Sequence, residues 1–297
     1  MISAMYENGG NTFHRHLDGH PELLAYPFES QLGTKYVNDD LQSMFPFKYR
    51  WPVFPLGGMP EDDFELIFDE ETKNRLRRPD GSKFRDADLQ MDEKERRLLF
   101  LRYMSNRSRT TGDLVMGFFY ATFESWKNCE KTGREKYFVG YSPIIAVDSE
   151  QIFSDLPDAR IFHIVRDPCA CFAETRRRPY PLSLKKYIWA WNTVQSRAIA
   201  YRAMFPRKFF LIRYEDLMTR KKEVMKEFCK RIDIRYHDSL LYPSWNGKKL
   251  EDIYPWGTIH SPTLEEQEAR IGELPRATIS EIRLISRLCS SELGYGS

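Results

Sequence analysis

The chain has 297 residues, and its 45 Lys and Arg against 43 Asp and Glu give a formal net charge of +2, which argues against a globally basic nucleic-acid binder. Hydrophobic residues at 41% and aromatics at 14% suffice for a core, and the length suits one α/β domain over 1–297. Five cysteines without a CxxC pair exclude a disulfide framework and a zinc site, so no metal is expected.

No apolar run approaches the roughly 20 residues that span a bilayer, and no charged n-region with an apolar stretch opens the chain. A soluble, cytoplasmic protein without a membrane span is expected. Ile2 to Tyr6 reads as a short strand. Asn8-Gly9-Gly10-Asn11-Thr12 then makes a tight turn, and 13–19 a helix that stops at His20-Pro21. The stretch 61–109 is dense in mixed charge and reads as solvated helices and loops, with a lid over a substrate cleft as the alternative.

Lys136 to Gly140 is a second strand. Ile161 to Val165 is a third, continuous in β-branched and aromatic residues as a strand covered on both faces requires. Leu184 to Met204 is a helix with Trp189 and Trp191 as core residues, Phe209 to Arg213 a fourth strand, and Leu264 to Glu292 amphipathic helical structure. Strands separated by helices imply βαβ units, hence a three-layer α/β fold whose mostly parallel sheet carries helices on both faces. Such sheets bind ligands beyond the carboxyl ends of their strands, which directs attention to Asn8–Thr12, Arg166 and Arg213.

Gly9 and Gly10 let a backbone approach an anion, and the exposed N–H groups at the helix start near Asn11 and Thr12 form a phosphate site; the plain alternative is an ordinary glycine turn. The Gly-x4-Gly-Lys-Ser/Thr signature is missing, which disfavours a nucleotide triphosphatase of the usual kind. Arg166 follows the third strand, where a guanidinium grips a phosphate bidentately, and Pro168 fits the first turn of the next helix. Arg176 to Arg178 either add to that grip or form a solvated helix end. Asp216 is read as the cap of the helix after the fourth strand.

In this order GGNTF…LDGHPEL, LPDARIFHIVRDP, YIWAWN…FPRKFFLIRYEDLM and a terminal SSELGYGS make a chain that resembles the sulfotransferases using 3′-phosphoadenosine 5′-phosphosulfate (PAPS), in the branch holding the tyrosylprotein and related bacterial or Golgi-type enzymes. The likeness runs through nearly the whole chain except about 35–130, a charged and aromatic insertion expected to shape the acceptor site, with Phe45, Phe47, Tyr49, Trp51 and Phe54 as lining candidates or core. It implies a fold similar to the P-loop nucleotide kinases. Gly9, Gly10, Asn11 and Thr12 would cradle the 5′-phosphosulfate, Arg166 would take the 3′-phosphate, and the segment with Trp245, Gly247 and Lys248 would close over the nucleotide, Trp245 or Tyr254 stacking on adenine. Where the family has a 3′-phosphate-binding serine this chain has Glu174, followed by Thr175, so either Thr175 substitutes after a small shift or the contact is lost; Arg176 to Arg178 would compensate the carboxylate. The family's two active-site cations are also replaced, by Glu7-Asn8 in the first turn and by Tyr141 after the second strand, so His14 or Arg15 is expected to face back and restore the charge.

Sulfuryl transfer from PAPS leaves 3′-phosphoadenosine 5′-phosphate (PAP), needs no metal, and requires a base for the acceptor, an alcohol, phenol or amine on a small molecule, glycan or peptide. Glu29 in Pro27-Phe28-Glu29-Ser30 is the expected base by analogy with the tyrosylprotein branch, and His20 is its rival. Two other readings compete: a catalytically impaired module that binds PAPS or PAP, and a kinase-like phosphotransferase. Oligomeric state, a homodimer included, is open.

Overall fold

The computed structural model describes residues 1–250 and 263–295. Its central strands are β1 (Ile2–Ala4), β2 (Leu23–Ala25), β3 (Tyr137–Val139), β4 (Ile161–Val165) and β5 (Phe209–Arg213). They form two parallel sheets, β1-β4-β5 and β2-β3. A bridge between Ile2 and Tyr141 joins the two side by side: the Ile2 N–H donates to Gly140 O at 2.8 Å, and the Ser142 N–H donates to Ile2 O at 3.2 Å. The spatial order is therefore β2-β3-β1-β4-β5, every neighbour parallel.

All five residues of β4 are buried, as its β-branched and aromatic residues predict. Phe162 and Ile164 face a layer made by α1 (Gly10–Leu17) and a later helix over Lys221–Arg231, through Phe13, Leu17, Met225 and Phe228. The other face carries His163, whose ring nitrogens lie 3.1 Å from Ser3 Oγ and 3.2 Å from Gln195 Oε1 of the helix Leu184–Met204. Both His163 ring nitrogens thus have partners inside the core, whereas Gln195 Nε2 has none, and burial lowers the His163 pKa to about 4. Helices on both faces of a parallel sheet make this the expected three-layer fold.

Between β2 and β3 stand α2 (Pro60–Leu66), α3 (Glu70–Arg77), α4 (Glu93–Met104) and α5 (Thr111–Ser125). Their starts are written locally. Pro60 opens α2, the Asp92 carboxylate accepts from the Glu95 N–H, and the Thr110 hydroxyl accepts from the Asp113 N–H. The remaining helices are α6 (Ser149–Asp155), α7 (Pro168–Thr175), α8 (Leu184–Met204), α9 (Tyr214–Thr219), α10 (Lys221–Arg231), α11 (Leu264–Gly272) and α12 (Arg276–Glu292), with a small hairpin β6 (Ser244–Trp245) and β7 (Lys248–Lys249).

Several expectations need correction. Strand β2 carries no alternation that would reveal it, and it is the partner of β3. The first helix starts at Gly10, because Gly9 rather than a side chain holds the cap position. Asp216 lies inside the first turn of α9, paired with Arg220 at 2.9 Å, and Arg213 occupies the cap position. Trp191 is core but Trp189 is 54% exposed. The charged stretch 61–109 is more than a wet face, since Asp69 with Arg96 is fully buried and Asp63 is buried against Arg109. Among the described residues, no helix is long and apolar enough to cross a membrane.

Candidate active site

The rim formed by the carboxyl ends of the strands opens into a cleft of about 520 Å³ to which the segments after all five strands contribute: Gly9 and Gly10 after β1, Glu29 after β2, Tyr141 after β3, Arg166 after β4 and Tyr214 after β5. In a sheet ordered β2-β3-β1-β4-β5 the chain leaves β1 towards one side and returns at β4 on the other, so this is the topological switch point where α/β sheets take ligands. A larger groove of about 700 Å³ lies along β5 and includes none of these residues, and Arg213, expected at the site, lines that groove and not the cleft.

Gly9 is needed twice over. Its φ of +86° is left-handed, and a Cβ there would stand 2.2 Å from the Tyr214 ring. At Gly10 a Cβ would meet the Tyr141 ring at 2.5 Å. The two tyrosines therefore press the turn into shape. Gly9 offers no side-chain cap, and the N–H groups of Gly10, Asn11 and Thr12 have no acceptor within the helix. Donors and helix dipole together make the mouth of α1 receptive to an anion.

Arg166 is anchored on three sides. Its N–H donates to Asn8 Oδ1 at 3.0 Å, Nε to Gln267 Oε1 at 2.8 Å and Nη1 to the Glu7 carbonyl at 3.2 Å. Nη2 is buried without a hydrogen-bond partner, 3.8 Å from Glu174 Oε1, too far for a bond. A buried guanidinium nitrogen without an acceptor is a donor suited to an anion's oxygen. Glu174 itself forms an ion pair with Arg270 of α11, which neutralises the carboxylate at the cleft wall. Glu7 holds φ +63° and pairs with Arg178, so the acid in the first turn faces a cation.

Glu29 lines the cleft opposite these groups. Burial, and then the nearby Glu71, raise its pKa to about 7, with Lys83, Lys48 and a 3.3 Å hydrogen bond from Gln31 Nε2 acting against the rise. Such a carboxylate takes a proton near neutrality, as a general base must.

The other predicted residues lie elsewhere. His14, Arg15 and His16 are buried and none lines the cleft. Arg15 Nη2 donates to the Tyr26 carbonyl at 2.8 Å, and His16 Nδ1 sits 3.0 Å from Leu240 O. Burial and the Arg15 charge hold the His14 pKa down. The expected return of charge from this helix does not occur, because 3.6-residue periodicity turns those positions into the layers either side of α1. His20 has both ring nitrogens engaged, Nε2 at 2.8 Å from Arg235 O and Nδ1 accepting the Glu22 N–H at 3.1 Å, and stands outside the cleft. The Thr175 hydroxyl is buried and donates to the Phe172 carbonyl of its own helix at 2.8 Å, so it does not replace the missing serine.

Trp245 packs beside Trp126 and Phe28 with Nε1 donating to Pro27 O at 2.9 Å, and the Gly247 N–H donates to Asp18 Oδ2 at 2.9 Å. Lys248 is exposed on the same hairpin. This hairpin lies at the carboxyl end of α1, away from the Gly9–Gly10 turn, so these three residues do not line the cleft. Tyr254 lies outside the described residues.

Beside the expected Arg166 and Arg178, three cations at the cleft were not foreseen: Lys48 and Lys83 come from the stretch between β2 and β3, and Arg270 from α11. Lys48 pairs with Glu70, and Lys83 Nζ stands 2.5 Å from Glu71 Oε1. Nothing local marks them, since each is a lysine in a charged segment. Of the five aromatic lining candidates Tyr49 reaches the cleft, while Phe45 and Trp51 are core. Among the described residues no group of three or more His, Cys, Asp or Glu is arranged to hold a metal.

The family model described as "Sulfotransferase family" matches residues 57–238. It takes in 57–130, so most of the stretch expected to fall outside the likeness lies within the family pattern. No curated protein matches the chain. Among solved structures, the sulfotransferase domain from the Synechococcus PCC 7002 olefin synthase superposes with a TM-score of 0.56 at 17% identity, covering 100% of this chain and 94% of that one. The sulfotransferase domain from the curacin biosynthetic pathway gives 0.54 at 15% identity, covering 99% and 97%. At these identities the likeness establishes the fold.

Proposed function

The chain belongs to the sulfotransferase family, and from that premise we propose that the cleft binds PAPS and passes its sulfuryl group to a hydroxyl or amine acceptor, with Glu29 as general base. The observation that carries this reading is the coexistence, in one cleft, of a carboxylate with a pKa near 7, an uncapped helix start and a buried guanidinium nitrogen with no hydrogen-bond partner. A nucleotide with phosphates at both 3′ and 5′ positions suits two such anion sites. The N–H groups of Gly10, Asn11 and Thr12 would hold the 5′ side and Arg166 the 3′-phosphate.

When bound, PAPS supplies an activated sulfuryl group on a phosphate leaving group. The chain's own part is positioning and charge. The first-turn amides of α1 would hold the charge on the leaving group, Glu29 would receive the acceptor proton, and Lys48 and Lys83, paired with Glu70 and Glu71, would supply the cations on that side of the cleft. Glu174, held by Arg270, remains beside Arg166 without presenting a free negative charge to the phosphate. The whole chain would work as one domain, the insertion supplying the acceptor side, and with five free cysteines a reducing compartment suits it.

Sulfate transfer from labelled PAPS to a panel of phenols, sugars, peptides and lipids tests the reading, with PAP titrated in parallel by calorimetry. Transfer to at least one acceptor is expected. Binding of PAP without transfer to any would instead favour a catalytically impaired module.

Arg166→Ala is expected to weaken PAP binding by about 10- to 100-fold, the loss of one or two charge-assisted hydrogen bonds. Unchanged affinity by calorimetry would remove Arg166 from the 3′-phosphate site.

A further inference from the structure

Glu29 is held by a contact that belongs to the insertion. Its backbone N–H donates to Glu71 Oε2 at 3.0 Å, while the other oxygen of Glu71 receives Lys83 Nζ at 2.5 Å. Glu71 sits in the first turn of α3, and the residues leading into that helix are fastened to the segment following Glu29: the Asp69 N–H donates to Gln31 O at 2.9 Å and the Phe68 N–H to Gly33 O at 3.0 Å. The Lys83 ammonium also lies 4.7 Å from the centre of the Phe84 ring, which stacks on Phe28 next to Glu29.

We infer that Glu71 and Lys83 form a positioning pair, which fixes the Glu29 main chain at the cleft and sets the charge that its carboxylate faces. The inference rests on the reading of Glu29 as the base. Two acids and a base in a row give opposite levers: Glu71 repels a negative Glu29 and favours its protonated form, and Lys83 attracts it and favours the ionised form. Burial works against the Lys83 charge, but Glu71 and Glu29 outweigh it and raise the Lys83 pKa. The other groups facing Glu29 are Lys48 and Gln31, with the phenols of Tyr6, Tyr49 and Tyr141 around them; burial first and then Glu29 push the Tyr49 and Tyr141 pKa values upward. None of these phenols ionises near neutrality, so Glu71 and the two lysines are the charges that can move the Glu29 titration.

The test is the titration of Glu29 itself, followed by carboxyl carbon NMR on the full chain labelled with 13C-glutamate, its signal assigned by its loss in Glu29→Gln. Glu71→Gln is expected to lower the midpoint by about one pH unit and Lys83→Met to raise it by about one, whereas Lys83→Arg, which keeps the charge, should leave it in place. Midpoints of the Gln and Met variants that coincide with the native one would overturn the inference. Should Lys83→Met fail to fold, Lys83→Gln and Glu71→Gln decide the matter by the same signal. Native-rate sulfate transfer by Glu29→Gln would sink the base assignment, yet leave these midpoints as an independent result.

Discussion

Glu29→Gln is expected to bind PAP as the native chain does and to transfer sulfate about 10²- to 10⁴-fold more slowly, the usual range for loss of a general base. The amide keeps the volume and one hydrogen-bonding oxygen, so the Gln31 contact and the packing against Phe28 survive, while the ability to take a proton is lost. The native rate should rise with pH through about 7, because burial and Glu71 keep Glu29 protonated below that value and a protonated carboxyl accepts no proton. In the variant this limb of the profile should vanish. A pH–rate measurement on both proteins checks this, and a variant that turns over at the native rate would place the base elsewhere.

The parts of this site that were readable in advance are those where one short segment fixes both shape and chemistry. Gly9 and Gly10 mark a tight turn before a helix, and Arg166 follows Ile161–Val165, four apolar residues and one histidine that read as an inner strand. The fold class was readable for the same reason, since β4, α8 and β5 each carry an unbroken pattern. Two kinds of residue escaped. Short β2 has three residues and no period, and it exists because β3 pairs with it. Lys48, Lys83 and Arg270 reach the cleft, and Glu71 the Glu29 main chain, through tertiary packing of segments far apart in sequence, which no local pattern encodes. The helical residues that looked most promising, His14 and Arg15, went wrong by geometry: α1 lies between two core layers, and only its first turn is open to the cleft. Trp245 misled in a similar way, because an indole beside an Asn-Gly turn reads as a lid, whereas here it fills the core against Trp126.

Arg96→Met is expected to lower the stability of the chain by about 3–5 kcal/mol, because it leaves a fully buried carboxylate without its partner. Arg96 and Asp69 are both at 0% exposure. Arg96 Nη1 donates to Asp69 Oδ2 at 2.6 Å, Nη2 to the Tyr26 hydroxyl at 2.8 Å, and Nε to Thr122 Oγ1 at 3.1 Å. Tyr26 completes the loop by donating to Asp69 Oδ1 at 2.8 Å. Methionine fills the space of the stem but satisfies none of these acceptors. The effect should also reach the cleft: Asp69 directly precedes α3, so loosening it displaces Glu71 and with it Glu29. Adding Asp69→Asn should recover a large part of the loss, since it removes the lone charge and asparagine tolerates the φ of +36° at that position. Denaturant unfolding of native, single and double variants measures both steps. If the double variant is no more stable than the single, the cost lies in packing rather than in the stranded charge.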